Sequence, residues 1–386
     1  MENKEMLSRR TMSIEPSGIR RFFDLCVGRD DVISLGVGEP DFTTPYLMRE
    51  QAIYYLQKGR TSYTPNRGLL SLRKEICRYL QRYGMNYNPD EEILLTIGVS
   101  EAVDVILRSI LNPGDEIIVC EPCYVSYQPL AELCETKLVR LNTALTDFSP
   151  TAEALERVIT PKTKALMLCT PSNPTGKMIP KDELEKIAAL AKKHKFWCIS
   201  DEVYCELTYD DAQHVSIGSF EGMKDYSVIL NGFSKSFAMT GWRIGYVAAP
   251  KSLVEQANKI HQYSAICAPI MSQYAAEEGL KNGWGEVEKM RSSYRHRRNF
   301  FCSKLDKMGL PYAKPDGAFY IFADIRSTGL SSEEFSRRLI EENGVAVVPG
   351  SVFGSGGEGF VRCCYATALD KLRIALDRME EFIKEL

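Results

Sequence analysis

The chain has 386 residues, of which 44% are hydrophobic and 27 are glycine, enough for one large core and a second, smaller one. Its formal net charge is -3, with acidic and basic residues interspersed, so neither a nucleic-acid partner nor an acidic membrane surface is expected. Residues 1–20 lack the apolar stretch of a secretory signal and no run reaches membrane-spanning length, so we expect a cytoplasmic protein with a small-molecule ligand.

Short β-rich apolar runs recur between helical stretches over the first two thirds of the chain. The predicted strands span residues 93–97, 116–120, 164–169, 196–200, 227–231 and 244–249. Between them, residues 182–194 place apolar side chains at helical spacing after Pro180, which suits the first turn of a helix. This alternation predicts an α/β domain with a largely parallel sheet covered by helices.

The pattern changes after about residue 265. Long charged helices are predicted at 285–308 and 368–386, flanking short strands at 319–323, 345–347 and 359–363. This arrangement indicates a separate α+β domain. We therefore expect three parts: an N-terminal segment, 1–45, that packs on the small domain, a large cofactor-binding domain, 46–285, and the small domain, 286–386.

Two glycine-containing turns stand out in the first third of the chain. The segment Gly36-Val-Gly38-Glu-Pro-Asp41 lacks the third glycine and the helix of a dinucleotide-binding fingerprint. At 96–102, a strand, a turn at Gly98 and a helix beginning near Ser100 follow one another. Exposed amides at such a helix start can hold a phosphate. An ordinary helix cap at Ser100 is the alternative, and it uses compatible geometry.

Cysteines and histidines do not indicate a metal site. Cys120 and Cys123 form a CxxC among twelve cysteines, but no second CxxC or histidine in ligand spacing accompanies it. Buried, reduced core cysteines are the favoured interpretation. The four histidines fall in no ligand motif, which argues against a metal hydrolase.

Polar residues follow two of the predicted strands. The segment Thr170-Pro-Ser-Asn173-Pro-Thr-Gly176 contains too much proline to continue a strand, and Asn173 could bridge a cofactor oxygen and a substrate carboxylate. Turn chemistry explains it equally well. Asp201 ends another run, where a protonated pyridine nitrogen would give its carboxylate a partner. A capping role is the alternative for Asp201. Tyr204 could reach the phenolic oxygen of the same ring.

The strongest local feature surrounds Lys235, in the segment Asn231-Gly-Phe-Ser-Lys-Ser-Phe-Ala-Met-Thr-Gly-Trp-Arg-Ile-Gly245. Ligands bind at the carboxyl edge of an α/β sheet, and an apolar surround of Phe233, Phe237 and Met239 would make this amine nucleophilic and able to form an imine. Arg243 and the Ser234 hydroxyl suit a phosphate. The alternative is a surface lysine with a structural arginine.

The chain resembles the class I/II aminotransferases of pyridoxal-phosphate fold type I. The resemblance depends on the loop with Asn173, the strand end at Asp201, and Lys235 with Arg243, which follow one another in this order. The resemblance covers nearly the whole chain, and residues 232–245 fit the family's lysine-site signature at every position. It implies a large domain with a mostly parallel seven-stranded sheet plus a smaller α+β domain. The sequences of residues 17–23 and 68–73 are similar to those of the subgroup that contains aromatic, aspartate and N-acetyl-diaminopimelate aminotransferases.

The resemblance implies that pyridoxal 5′-phosphate is held as a Schiff base on Lys235, which then moves a proton between the amino acid's α-carbon and the cofactor's C4′ carbon. Asp201 would pair with the pyridine nitrogen. Asn173 and Tyr204 would bond the ring hydroxyl oxygen. Tyr124 would stack on the ring, and simple core packing is its alternative.

The resemblance also assigns the phosphate site. The amides around Val99, Ser100 and Glu101 would bind the phosphate, with Ser234 and Arg243. Tyr63 is similar to the tyrosine that reaches this phosphate from the partner subunit. A homodimer with shared active sites is therefore implied.

Substrate contacts follow from the same resemblance. Arg362 would clamp the α-carboxylate bidentately, helped by the backbone of Gly38 and by Asn173. Arg108, on the helix that begins at the phosphate site, is a candidate for binding a distal carboxylate. An ion pair between Arg108 and Asp104, one helical turn apart, is the alternative.

The implied reaction moves an amino group between an aromatic or acidic L-amino acid and a 2-oxo acid in two half-reactions. A β-eliminating C–S lyase would use the same fold, lysine and aspartate, and stays open as the alternative. A cofactor-binding regulator of transcription would need a DNA-binding module, for which the short N-terminal segment leaves no room.

Overall fold

The computed structural model describes residues 6–19, 28–29 and 31–386. The predicted similarity to the aromatic and aspartate subgroup depends in part on the sequence of residues 17–23. Most of that segment lies outside the described residues. The helices are α1 Arg9–Met12, α2 Tyr46–Gln57, α3 Leu70–Gln81, α4 Gly98–Ile110, α5 Tyr127–Leu133, α6 Ala152–Glu156, α7 Lys181–His194, α8 Lys251–Ser264, α9 Ile270–Asn282, α10 Trp284–Met308, α11 Ser332–Asn343 and α12 Leu369–Lys384.

A seven-stranded sheet forms the centre of the large domain. Its strands are β2 Ile93–Thr96, β3 Glu116–Glu121, β4 Lys137–Asn142, β5 Thr163–Cys169, β6 Trp197–Asp201, β7 Ser227–Gly232 and β8 Gly245–Ala248, in the order β2-β8-β7-β6-β5-β3-β4. β8 runs antiparallel to both neighbours, whereas β4, β3, β5, β6 and β7 pair in parallel. The predicted α/β fold with a mostly parallel sheet is confirmed.

The inner strands are buried on both faces, because helices cover the sheet on both sides. The strand β4 was missing from the sequence prediction. It lies at the sheet edge, and most of its residues are exposed or half-buried. Its sequence Lys-Leu-Val-Arg-Leu-Asn therefore lacks the continuous apolar run that revealed the inner strands.

The small domain contains a four-stranded antiparallel sheet, and β1 Ile33–Ser34 pairs in parallel with β11 Val345–Ala346. The four strands are β9 Tyr312–Ala313, β10 Tyr320–Asp324, β12 Val348–Pro349 and β13 Phe360–Cys364. A second apolar core, including Phe301, Phe335 and Phe382, joins this sheet to α10, α11 and α12. The division at residues 45 and 285 stays a prediction.

Cys120 and Cys123 carry no disulfide, and burial raises the pKa of the Cys120 thiol to about 12. Within the described residues, no group of histidines, cysteines and carboxylates is placed to hold a metal ion. Over the same residues, no helix combines the length and apolar character needed to cross a membrane.

Candidate active site

A cavity of about 460 Å³ lies where the carboxyl ends of β2, β3, β5, β6 and β7 face the small domain. Most of the predicted site residues line it: Gly38, Val99, Ser100, Tyr124, Asn173, Asp201, Tyr204, Ser234, Lys235, Arg243 and Arg362. They meet because parallel strands end at the same edge of the sheet, so loops distant in sequence converge there. Arg362 and Tyr320 come from the small domain.

The Lys235 amine stands on one wall of this cavity. Its Nζ donates a hydrogen bond to the backbone oxygen of Gly38 at 2.6 Å. The Tyr204 and Phe319 ring centroids lie 5.9 and 5.7 Å from Nζ, while the predicted surround of phenylalanines is buried in the large-domain core. Burial of the charged amine lowers the pKa of Lys235 to about 8. A substantial fraction of this amine is therefore neutral near physiological pH.

The Asp201 carboxylate is 5% exposed at the end of β6. Its Oδ2 accepts a hydrogen bond from the Tyr127 hydroxyl at 2.7 Å, and its Oδ1 accepts one from the Val203 amide at 3.2 Å. Burial raises the pKa of Asp201 to about 6, and both hydrogen bonds oppose that rise. The carboxylate is thus held in a fixed orientation and is mostly ionised at neutral pH.

Arg362 is 2% exposed and forms no ion pair with any described carboxylate. Its Nη1 donates to the Asn173 side-chain oxygen at 2.9 Å and its Nη2 to the Gly36 backbone oxygen at 2.6 Å, while its Nε has no hydrogen-bond partner in the described residues. The guanidinium carbon lies 4.5 Å from the Tyr320 ring centroid. A buried cation without a counter-charge is costly, so this arrangement favours an anionic ligand.

The start of α4 forms part of the cavity wall. The helix begins at Gly98, so the expected start near Ser100 was two residues late, and Ser100 lies in the first turn. Gly98 has φ +71°, and a Cβ there would lie 2.7 Å from Nη2 of Arg243. Glycine at this position lets the guanidinium approach the helix amides. The resulting cradle of amides and one arginine suits a phosphate.

Glu101 contributes differently from the other residues of this turn. Its side chain does not line the cavity: one carboxylate oxygen accepts a hydrogen bond from the Ile97 amide and the other lies 2.8 Å from Nδ1 of buried His261. Glu101 therefore closes the turn before α4, and only its backbone is free for the phosphate role. A carboxylate in the first turn of a helix also favours the helix dipole.

Besides Glu101, two predicted residues do not line the cavity. Tyr63 is 80% exposed on the surface of the described chain. Arg108 donates to Asp104 Oδ2 at 2.7 Å on the outer face of α4. This placement matches the alternative interpretation of Arg108 as one half of an ion pair, and its contact with a distal carboxylate stays a prediction.

Two tyrosines of the site were missed in the sequence. Tyr127 donates to Asp201, and the Tyr320 hydroxyl lies 2.9 Å from the Tyr204 hydroxyl. Tyr127 follows Tyr124 by three residues, a spacing that hinted at a shared face. Tyr320 lies in a predicted strand of the small domain, and nothing in its local sequence distinguishes it from a core residue.

Comparison with known proteins gives concordant matches along the chain. A family model described as aminotransferase class I and II matches residues 30–379. The putative aminotransferase YugH of Bacillus subtilis is 52% identical over 379 residues, 98% of each chain. Aromatic-amino-acid aminotransferase 2 of Thermococcus litoralis is 45% identical over 383 residues, again 98% of each chain. The solved structure of Thermus thermophilus aspartate aminotransferase with maleate has a TM-score of 0.93 at 36% identity, covering 97% of this chain and 99% of that one.

Proposed function

The chain belongs to the class I and II aminotransferases of fold type I, and from that premise we propose that it holds pyridoxal 5′-phosphate on Lys235 and acts on an aromatic or acidic L-amino acid. One observation carries the proposal: an amine of lowered pKa, a buried carboxylate and an unpaired buried guanidinium face one cavity. The amine suits an aldehyde, the carboxylate suits a pyridine nitrogen, and the guanidinium suits a substrate carboxylate.

The residues present fit this cofactor. The α4 amides around Val99 and Ser100, with Ser234 and Arg243, offer donors for its phosphate, and Gly98 leaves room for Arg243 beside them. Tyr124 offers a ring face to stack on. Further round the cavity, Asn173 and Tyr204 offer polar groups to the ring oxygen. When bound, pyridoxal phosphate supplies an electron sink for the electron pair left at the substrate α-carbon.

The chain's own residues then perform the proton work. Lys235 has a pKa of about 8, so its neutral amine could accept the proton of the α-carbon and deliver it to the carbon on the other side of the imine nitrogen. Asp201 would keep a negative charge available to the ring nitrogen of the bound cofactor. Arg362 and Asn173 fix the α-carboxylate, which sets the orientation of the bond to be broken. Asp201, Asn173 and Arg362 are buried and Lys235 is half-buried, which limits the access of water to these contacts.

Arg362→Lys is predicted to raise the KM for the amino donor about 10- to 100-fold, because lysine cannot form two parallel hydrogen bonds to a carboxylate. Steady-state kinetics with tyrosine and with aspartate would measure this. Arg108→Ser is the matched control, since Arg108 pairs with Asp104 outside the cavity. An unchanged KM for aspartate in Arg108→Ser is expected, and a selective rise for aspartate would restore Arg108 as the distal-carboxylate contact.

The substrate class follows from the relatives' names and from the cavity lining. Among the described lining residues the arginines are Arg243 and Arg362. We assign Arg243 to the cofactor phosphate and Arg362 to the substrate α-carboxylate. No described arginine of the cavity is then left to bind a second substrate carboxylate. We therefore rank aromatic above acidic donors. Mixing holoenzyme with single amino acids and following the conversion of pyridoxal to pyridoxamine by absorbance tests this ranking. Release of pyruvate and ammonia from cystathionine, with no such conversion by any amino acid, would favour the lyase instead.

A homodimer with shared sites is part of the same proposal. The surface of α2 exposes Ile53, Tyr54 and Leu56 by about half, and Tyr63 and Tyr263 are almost fully exposed. Large exposed apolar groups in neighbouring segments suit an interface between two copies. Contact with the partner would bury them and would bring Tyr63 to the phosphate of the other subunit.

Active sites shared between two subunits predict that two inactive variants complement each other. Lys235→Ala and Tyr63→Ala protomers, each inactive or weakened alone, should recover about a quarter of wild-type activity when mixed and reassembled. About half of the dimers are then mixed, and one of their two sites has both residues intact. No recovery, despite mixed dimers in native mass spectra, would mean that Tyr63 does not serve the partner's site.

We place this enzyme in the cytoplasm. The described cysteines are all unpaired, including several at partly accessible positions. Unpaired cysteines in this number suit a reducing compartment.

A further inference from the structure

Tyr127 is the one described side chain that hydrogen-bonds to the carboxylate of Asp201. It opens α5, is 1% exposed and lines the cavity. Its hydroxyl donates to Oδ2 at 2.7 Å, while the Val203 amide reaches Oδ1 at 3.2 Å. These two donors hold one oxygen each, so the plane of the carboxylate is fixed.

The charge of Asp201 depends on these donors. No described lysine or arginine forms an ion pair with this buried carboxylate, and a buried anion is stable only when hydrogen bonds replace its hydration. The Tyr127 phenol is a permanent donor, because burial and the neighbouring carboxylate raise the pKa of Tyr127 well above its ordinary value. It cannot itself take up the negative charge near neutral pH.

The ring of Tyr127 has a second contact. It meets the Tyr124 ring edge-on, with centroids 5.5 Å apart and planes at 82°. Tyr124 is the residue proposed to stack on the cofactor. Removing only the hydroxyl therefore separates the hydrogen bond to Asp201 from the support of Tyr124.

We propose that Tyr127 is a positioning residue that keeps Asp201 ionised and aimed at the cofactor's ring nitrogen. The inference rests on the proposed function, because it assigns Tyr127 a role toward the same cofactor. Tyr127 acts through Asp201 and contributes no proton to the reaction. Its effect should therefore depend on whether Asp201 is charged.

The test is the affinity of the apoenzyme for pyridoxal phosphate, measured by fluorescence quenching between about pH 6 and pH 8.5. Tyr127→Phe should bind about ten-fold more weakly near pH 6, with the difference narrowing at higher pH as Asp201 ionises without its donor. Tyr246→Phe is the matched control, because Tyr246 is buried, its hydroxyl has no hydrogen-bond partner in the described chain, and it does not line this cavity.

A second comparison separates positioning from packing. In an Asp201→Asn background, Tyr127→Phe should lose its pH-dependent effect, because no carboxylate remains to be ionised. A loss of affinity that is equal at all pH values, or that persists in the Asp201→Asn background, would overturn the inference and leave a packing role. If wild type and Tyr246→Phe also fail to bind pyridoxal phosphate, the proposed function itself fails.

Discussion

Lys235→Ala is expected to lose at least about 10³-fold in turnover, because it removes the amine proposed to hold the cofactor and to move the α-proton. No other described amine lines the cavity, so no neighbouring lysine can replace it. Lys235→Arg should be equally inactive, since arginine keeps the charge but stays protonated and is a poor nucleophile. Single-turnover kinetics with pyridoxal phosphate and an amino donor would measure both variants.

The matched control for Lys235 is Lys259→Ala. Lys259 lies exposed on α8 and donates only to the side chain of Gln256. Its loss should leave turnover within about two-fold of wild type, as expected for a surface substitution. A Lys235→Ala enzyme with more than about a tenth of wild-type turnover would contradict the assignment of the base.

Asp201→Asn should lower kcat by about 10²- to 10⁴-fold and at the same time stabilise the apoenzyme at neutral pH. The activity falls because an amide cannot keep the ring nitrogen protonated. The stability rises because burial raises the pKa of Asp201 from 3.8 in the unfolded chain to about 6 in the fold. Ionising this carboxylate therefore costs more in the native state than in the unfolded state.

The sign of the pH dependence follows from proton binding. Between about pH 4 and pH 6 the native state binds the proton that the unfolded state has released, so the stability of wild-type apoenzyme falls as the pH rises through this window. Near pH 7 the variant should be more stable by about 1 to 3 kcal/mol, and below pH 4 the difference should vanish. Urea unfolding of the two apoenzymes at both pH values measures this. A variant that is less stable than wild type at pH 7 would contradict a costly buried charge at Asp201.

The sequence prediction of the large sheet succeeded where burial is complete. The strands β3, β5, β6 and β7 are covered by helices on both faces and so consist of continuous apolar runs, which place their ends to within one residue. The edge strand β4 has no such run, because one side of it meets solvent. Its existence depends on pairing with β3, which the local sequence does not encode.

The candidate site was predictable to the extent that it follows strand ends. Asp201 is the last residue of β6, and Asn173 and Lys235 lie in the loops that follow β5 and β7. The carboxyl ends of neighbouring parallel strands meet at one edge of the sheet. The pairs Tyr127–Asp201 and Tyr204–Tyr320 join residues 74 and 116 positions apart. The first contact depends on how α5 packs against the carboxyl end of β6, and the second depends on how the small domain packs on the large one. No local sequence pattern indicates either contact.

The direction of side chains on helix α4 could not be predicted from the sequence. Arg108 lies on the helix that begins at the proposed phosphate site, but its side chain donates to Asp104 one turn away. The sequence of α4 alone does not show whether Arg108 faces the cavity or the solvent, because that depends on which face of the helix is buried. Ser100 was similarly ambiguous, and Glu101 rather than Ser100 bonds the amide that precedes the helix.

The most direct measurement of the central claim is borohydride reduction of the holoenzyme followed by peptide mapping. If Lys235 holds pyridoxal phosphate through an imine, reduction fixes the coenzyme on the tryptic peptide that contains Lys235 and removes the visible absorbance. Coenzyme recovered on a different lysine, or released free after reduction, would contradict the account.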